Sequence, residues 1–137
     1  MTQSVLLDTC ACIWLLEGTL SATAHGALVD AHAADVTSFV SPVTALEIAT
    51  LSRKRRAKSP LDPQRWFSNV LSQPGLALSA MPPAVLMASQ FLPDYADGDP
   101  FDRIIAATAR EYGYTVMTRD AALLDYGRRG YLAVLEC

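Results

Sequence analysis

Short apolar runs alternate with longer helical stretches along this chain, and that alternation restricts its fold more than any other feature. Residues 4–7, 36–40, 76–78 and 115–117 read as brief buried strands, with a weaker one at 132–135. Helices are expected over 9–16, 21–34, 83–90 and 100–112, the last stopped by Gly113. Two more begin at Ser41-Pro42 and Asp62-Pro63 and run to about Arg53 and Leu71, each pairing a capping side chain with Pro at the first helical position. Short apolar strands separated by helices favour a parallel sheet covered on both faces. The expected class is α/β, a three-layer α/β/α sandwich with a short, mainly parallel sheet.

No linker, repeat or low-complexity tract interrupts the pattern, so residues 1–137 read as one domain. The chain is apolar for a soluble protein, with 51% hydrophobic residues and a mean hydropathy of +0.21. Its longest apolar runs, at 10–16 and 82–88, fall short of the ~20 residues that span a bilayer. No membrane association is expected. Residues 1–8 lack the features of a secretory signal, and three cysteines cannot all pair within one chain, which points to the cytoplasm.

Five carboxylates stand at the ends of the most apolar segments. Asp8 closes Val5-Leu6-Leu7, Glu47 interrupts the third helix, Asp99 and Asp102 open the helix at Pro100, and Asp120 follows Thr115-Val116-Met117-Thr118. Acids cost free energy where water is excluded, so they pair with cations or cap helices there. Asp8, Asp99 and Asp120 all suit capping, and Asp102 falls at the third helical position, where an acid reaches back as in a capping box. Glu47 resists that explanation: Val43, Leu46, Glu47, Thr50 and Leu51 share one helix face, which sets the carboxylate inside an apolar stripe. Asp102 lies at the edge of the face formed by Phe101, Ile104, Ile105, Thr108 and Tyr112, expected to point inward.

In a parallel sheet, ligands bind outside the carboxyl ends of the strands, where Asp8 and Asp120 both fall. Several carboxylates round one cavity repel one another unless a cation neutralises them or some hold protons. Oxygen donors without His or Cys select hard ions, so Mg²⁺ or Mn²⁺ is the expected cofactor, and such ions suit phosphoryl chemistry. The net charge of −3 is uneven, with Arg53, Lys54, Arg55, Arg56 and Lys58 in one cluster. That run is either a solvated helix end or a landing strip for phosphates.

The blocks Leu7-Asp8-Thr9, Ser41-Pro42-Val43-Thr44-Ala45-Leu46-Glu47, residues 99–109 from Asp99-Pro100-Phe101-Asp102 onward, and Thr118-Arg119-Asp120 together resemble the PIN-domain ribonucleases of the VapC toxin type. The resemblance runs from Val5 to about Leu135, and its third block is the most specific. It implies Asp8, Glu47, Asp102 and Asp120 as the four metal-binding catalytic acids, with Thr118, Asp99 and Thr9 auxiliary. It also implies RNA as substrate, a VapB-like antitoxin as partner, and a homodimer. Cys10 departs from the family pattern, where many relatives carry His; being no acid, it touches local packing rather than chemistry.

The expected mechanism has Asp8, Asp102 and Asp120 hold the ion while Glu47 binds through water or orients the attacking water. Arg53 to Lys58 draw RNA in, with Arg103 and Arg119 nearer the phosphate. Two alternatives stand beside it: a non-catalytic module binding protein or nucleic acid, and an aspartyl phosphatase or phosphoacceptor. The latter usually wants a second Asp two residues after Asp8 and a Lys near the last strand, neither of which is present.

Overall fold

Main-chain pairing joins five short strands into one sheet in which every neighbouring pair is parallel, in the order β3-β2-β1-β4-β5. The computed structural model describes residues 3–54, 62–96 and 98–137. The strands are β1 (Val5–Leu7), β2 (Ser38–Val40), β3 (Leu76–Leu78), β4 (Thr115–Thr118) and β5 (Ala133–Glu136). Between them run α1 (Thr9–Glu17), α2 (Ala22–Ala33), α3 (Pro42–Lys54), α4 (Pro63–Leu71), α5 (Pro83–Ala88), α6 (Pro100–Tyr112) and α7 (Ala121–Arg128). No helix of the described residues is long and apolar enough to cross a membrane.

Side chains alternate across a strand, and here each alternate set enters a different core. Leu6 and Val116 pack with Val85, Ile105, Leu123 and Tyr126 on the face covered by α5, α6 and α7. Val5, Leu7 and Met117 pack with Ala11, Cys12, Ala24, Trp66 and Val70 on the face covered by α1, α2 and α4. Both faces are dry, which makes the three layers and explains why β1 is apolar at every position rather than at every second one.

The structure moves several expected boundaries. β2 begins at Ser38, because Asp35 takes a left-handed φ of 57° and the Val36 amide donates back to the Ala31 carbonyl, spending Val36 on the helix end. α5 stops at Ala88 and continues only as single turns to Phe91. The sheet is parallel at every pair, without the antiparallel edge that "mainly" allowed for.

One expected helix face is corrected and another is trimmed at its end. On α3, Leu46 is 58% and Leu51 37% exposed, so the apolar stripe does not face the core. The buried positions are Val43 and Thr44, with Ile48 packed at their edge, because α3 packs against α1, α4 and α6. On α6, Ile105 and Thr108 are buried and Phe101 and Ile104 pack against the core as expected; Tyr112, at the helix end, is exposed, and the buried Ala106, Ala107 and Ala109 bring α6 close to the sheet.

One close approach admits no side chain. A Cβ placed on Gly127 of α7 would lie 2.4 Å from Cγ2 and 2.8 Å from Cγ1 of Val134 on β5. Gly127→Ala should therefore destabilise by about 1–3 kcal/mol through overpacking, read as a lower denaturant midpoint. Adding Val134→Ala should recover part of that loss; a double variant no more stable than Gly127→Ala would show that the contact is not the cause.

Candidate functional site

From β1 the chain works outward through β2 to β3, then returns to the other side of β1 for β4 and β5. The connections on either side of the β1–β4 pair thus diverge, opening a crevice at the strands' carboxyl ends. Asp8 and Asp120 stand on the two lips. The Asp8 amide donates to the Met117 carbonyl at 3.2 Å, so the backbone pairing of β1 and β4 continues into the site.

Capping and site-building turn out to be the same act. Asp8 caps α1, accepting from the Ala11 amide at 2.8 Å through Oδ1, while its Oδ2 accepts from the Thr118 hydroxyl at 2.5 Å. Asp120 caps α7 through Oδ2, 2.9 Å from the Leu123 amide, and its own amide donates to Thr118 Oγ1 at 2.9 Å. Asp99 caps α6 by accepting from the Phe101 amide at 2.8 Å. A carboxylate has two oxygens, and a cap occupies one of them.

Glu47 reaches the site from α3. Its Oε1 accepts from the Thr9 hydroxyl at 2.5 Å, and Thr9 Oγ1 lies 3.1 Å from that of Thr44. Thr44, one turn before Glu47 on the same face, escaped the sequence reading; its spacing to Glu47 was the available signal. Asp102 differs from the others: no described residue donates a hydrogen bond to it, and the back-reaching bond of a capping box is not made.

Asp8, Thr9, Glu47, Asp99, Asp102 and Asp120 line one cleft of about 320 Å³, shared with Cys10, Trp14, Ile105 and Arg119. That is room for a hydrated ion and a phosphodiester group. The fully buried Thr118 lies beneath it, bonded to Asp8. Trp14 and Cys10 were not expected there, since 9–16 is apolar nearly throughout and offers no periodic signal to separate core from cleft. Arg103 lies outside the lining: its Nε donates to the Ser89 carbonyl at 2.8 Å and its Nη1 to that of Ala96 at 3.2 Å. Arg53 and Lys54 sit exposed at the end of α3, while Arg55, Arg56 and Lys58 lie outside the described residues.

Burial, and behind it the crowding of acids, raises Asp102, Asp8 and Glu47. Burial is the largest cause for Asp102, which is pushed up to about 7, with repulsion from Asp120, Asp99, Asp8 and Glu47 adding to it. Burial also raises Asp8, opposed by the Thr118 and Ala11 hydrogen bonds, and raises Glu47, opposed by Thr9. The Cys10 thiol goes up to about 11 by burial and by the surrounding carboxylates, which leaves it protonated.

Among the described residues no three His, Cys, Asp or Glu side chains are gathered tightly enough to enclose an ion as they stand. The donor chemistry nevertheless fits a hard divalent cation. Several carboxylates repel one another around a cleft in which Arg119 is the one cation among the described residues, so added positive charge would relieve what burial and repulsion impose.

Residues 5–129 match the family model of the PIN domain. The ribonuclease VapC22 of Mycobacterium tuberculosis (strain ATCC 25618 / H37Rv) is 26% identical over 123 residues, covering 90% of this chain and 92% of that protein. Among solved structures, VapBC2 from Rickettsia felis bound to a promoter DNA fragment superposes with a TM-score of 0.70 at 15% identity, over 96% of this chain and 98% of the other. FitAcB from Neisseria gonorrhoeae gives 0.54 at 20% identity, over 96% of both chains. These two likenesses concern the fold.

The Asp102 shift has a defined sign. Folded Asp102 titrates near 7 against an ordinary value of 3.8, so the folded state holds the proton more tightly. Its contribution is full below about pH 4 and is lost as pH rises through 7. In chelator, Asp102→Asn should therefore melt increasingly higher than the parent as pH climbs across that window, and Mg²⁺ or Mn²⁺ should raise the parent's melting temperature more than the variant's. A parent–variant difference that stays constant with pH would remove Asp102 as the source.

Proposed function

The chain belongs to the PIN-domain family, and from that premise we propose that it is a Mg²⁺- or Mn²⁺-dependent endoribonuclease acting as the toxin of a toxin–antitoxin pair. The observation that carries this reading is the convergence of Asp8, Glu47, Asp102 and Asp120, from four separate elements, on one cleft at the switch point of a parallel sheet. Structural capping alone would not bring Glu47 there. The relative named a ribonuclease, similar over nearly its whole length, supports RNA as the substrate class.

Asp8, Asp102 and Asp120 are the residues that would hold the cation. When bound, it supplies a Lewis acid that lowers the pKa of water and offsets charge on the phosphate. Thr118 keeps one Asp8 oxygen in place, and Thr9 does the same for Glu47, whose carboxylate is then set to orient the attacking water or accept its proton. Asp99 adds negative charge at the rim. The exposed Arg53 and Lys54, with the basic residues that follow them, offset the repulsion between an acidic cleft and a polyanion.

A VapB-like antitoxin is the partner this reading requires, in keeping with the toxin–antitoxin neighbours that share the fold. Leu86, Met87 and Phe91, on α5 and the turns after it, are exposed apolar side chains that a homodimer would cover.

Asp8→Asn should lower metal-dependent cleavage of single-stranded RNA by on the order of 10²-fold or more, measured as single-turnover rate in Mn²⁺. Glu47→Gln should weaken Mn²⁺ binding by roughly 10-fold in calorimetry. A parent that takes up no Mn²⁺ would favour the binding module, and an Asp8→Asn protein cutting at the parental rate would overturn the assignment.

A further inference from the structure

Among the described residues Arg119 is the one cation lining the cleft, next in sequence to Asp120 and sharing the lining with Asp8, yet it joins neither in an ion pair. Among the described residues the single ion pair is Arg129–Asp125, on the surface. An arginine surrounded by carboxylates would ordinarily collapse onto one of them, since bidentate pairing is its strongest interaction. Two contacts prevent this. The guanidinium carbon lies 3.8 Å from the Trp14 ring centroid, against 5.4 to 6.0 Å for the other cation–aromatic contacts described. Its Nε donates to the main-chain oxygen of Cys137 at 2.7 Å. Cys137 is held in turn by its amide, which donates to the Thr118 carbonyl at 3.2 Å and so extends the β4–β5 pairing.

Those two contacts use one face of the guanidinium and one of its N–H groups. The terminal nitrogens, with four N–H donors between them, make no hydrogen bond to a described residue. A guanidinium held at its Nε and one face, with its terminal nitrogens unengaged by any described residue beside a cleft of acids, is arranged for an anion that arrives from outside. Planar N–H pairs match the oxygens of a phosphodiester, and holding the side chain in advance reduces the entropy lost on binding.

We infer that Trp14 is a positioning residue that, with the Cys137 main-chain oxygen, holds Arg119 off the neighbouring carboxylates and aims it as a phosphate clamp for the RNA strand at the rim of the cleft. This rests on the ribonuclease reading and adds to it a residue pair and a division of labour. Arg119 binds backbone phosphate, and therefore contributes affinity without base preference. Trp14 acts only through Arg119.

The test measures affinity for a labelled single-stranded RNA by fluorescence anisotropy across a salt series, with EDTA and again with Ca²⁺. Arg119→Ala should reduce the slope of log affinity against log salt by about 0.7, the value for one phosphate contact on a single strand. Trp14→Leu should lose most of the same slope, by releasing Arg119 to the acids, whereas Trp14→Phe should retain it because a ring face remains. In the Arg119→Ala background, Trp14→Leu should change nothing further. An unchanged slope in Arg119→Ala, or losses that add in the double variant, would overturn the clamp while leaving the nuclease intact. A parent that binds no RNA in either condition would overturn both. Should Trp14→Leu fail to fold, Arg119→Ala and Trp14→Phe decide the matter alone.

Discussion

Parallel pairing of β1 with β4 is the constraint from which the site follows. Parallel strands send all their carboxyl ends, and the amino ends of the helices that follow, to one edge of the sheet. The Leu6–Val116 and Leu7–Met117 register then puts Asp8 and Thr118 side by side, and the 2.5 Å hydrogen bond between them closes the arrangement. Helix amino ends bring partial positive charge and unpaired N–H groups, which is why acids gather there as caps. The fold concentrates negative charge at one edge for architectural reasons before any chemistry is asked of it.

That concentration has a cost. Asp8 is only 6% exposed and Asp102 takes up its proton near neutrality, both disfavoured as carboxylates by burial. The surroundings offset it unequally. Asp8 has a hydroxyl and an amide, Glu47 has a hydroxyl, and Asp102 has no hydrogen-bond donor among the described residues. Asp102 is thus the acid left most dependent on a cation or a proton. Pro93 and Asp94, ahead of it, are well held: Arg129 donates to the Asp94 carbonyl, Tyr126 to that of Pro93, and Tyr131 to the Asp94 carboxylate, with Asp94 in a left-handed conformation. Arg103 of α6 is occupied in bracing the same region, through the Ser89 and Ala96 carbonyls.

Much of this was legible in advance. Pro42, Pro63 and Pro100, each after a Ser or Asp, marked three helix starts, and the short apolar runs located all five strands to within a few residues. The acids were legible as a set because they end apolar segments. Treating capping and site-building as rivals misled, since Asp8 and Asp120 cap with one oxygen and face the cleft as well. For Glu47 the expected location was right and the expected reason was not: Leu46 and Leu51 are exposed, and the glutamate is placed by α3 packing against α1, through Thr9 and Thr44. A helix of period 3.6 shows which residues share a face, but not which way that face is turned.

Local sequence determined the element types, the helix starts and the identity of the acids, because capping, turn chemistry and apolar periodicity act over a few residues. Tertiary structure decided everything that depends on which strand lies beside which. It brought Thr118 to Asp8 across 110 positions and turned Glu47 toward Thr9. It also set Trp14 against Arg119, drew Arg103 away from the cleft, and left Asp102 without a donor among the described residues. Contacts between distant positions are fixed by strand order and helix rotation, which arise only when both faces of the sheet are buried at once.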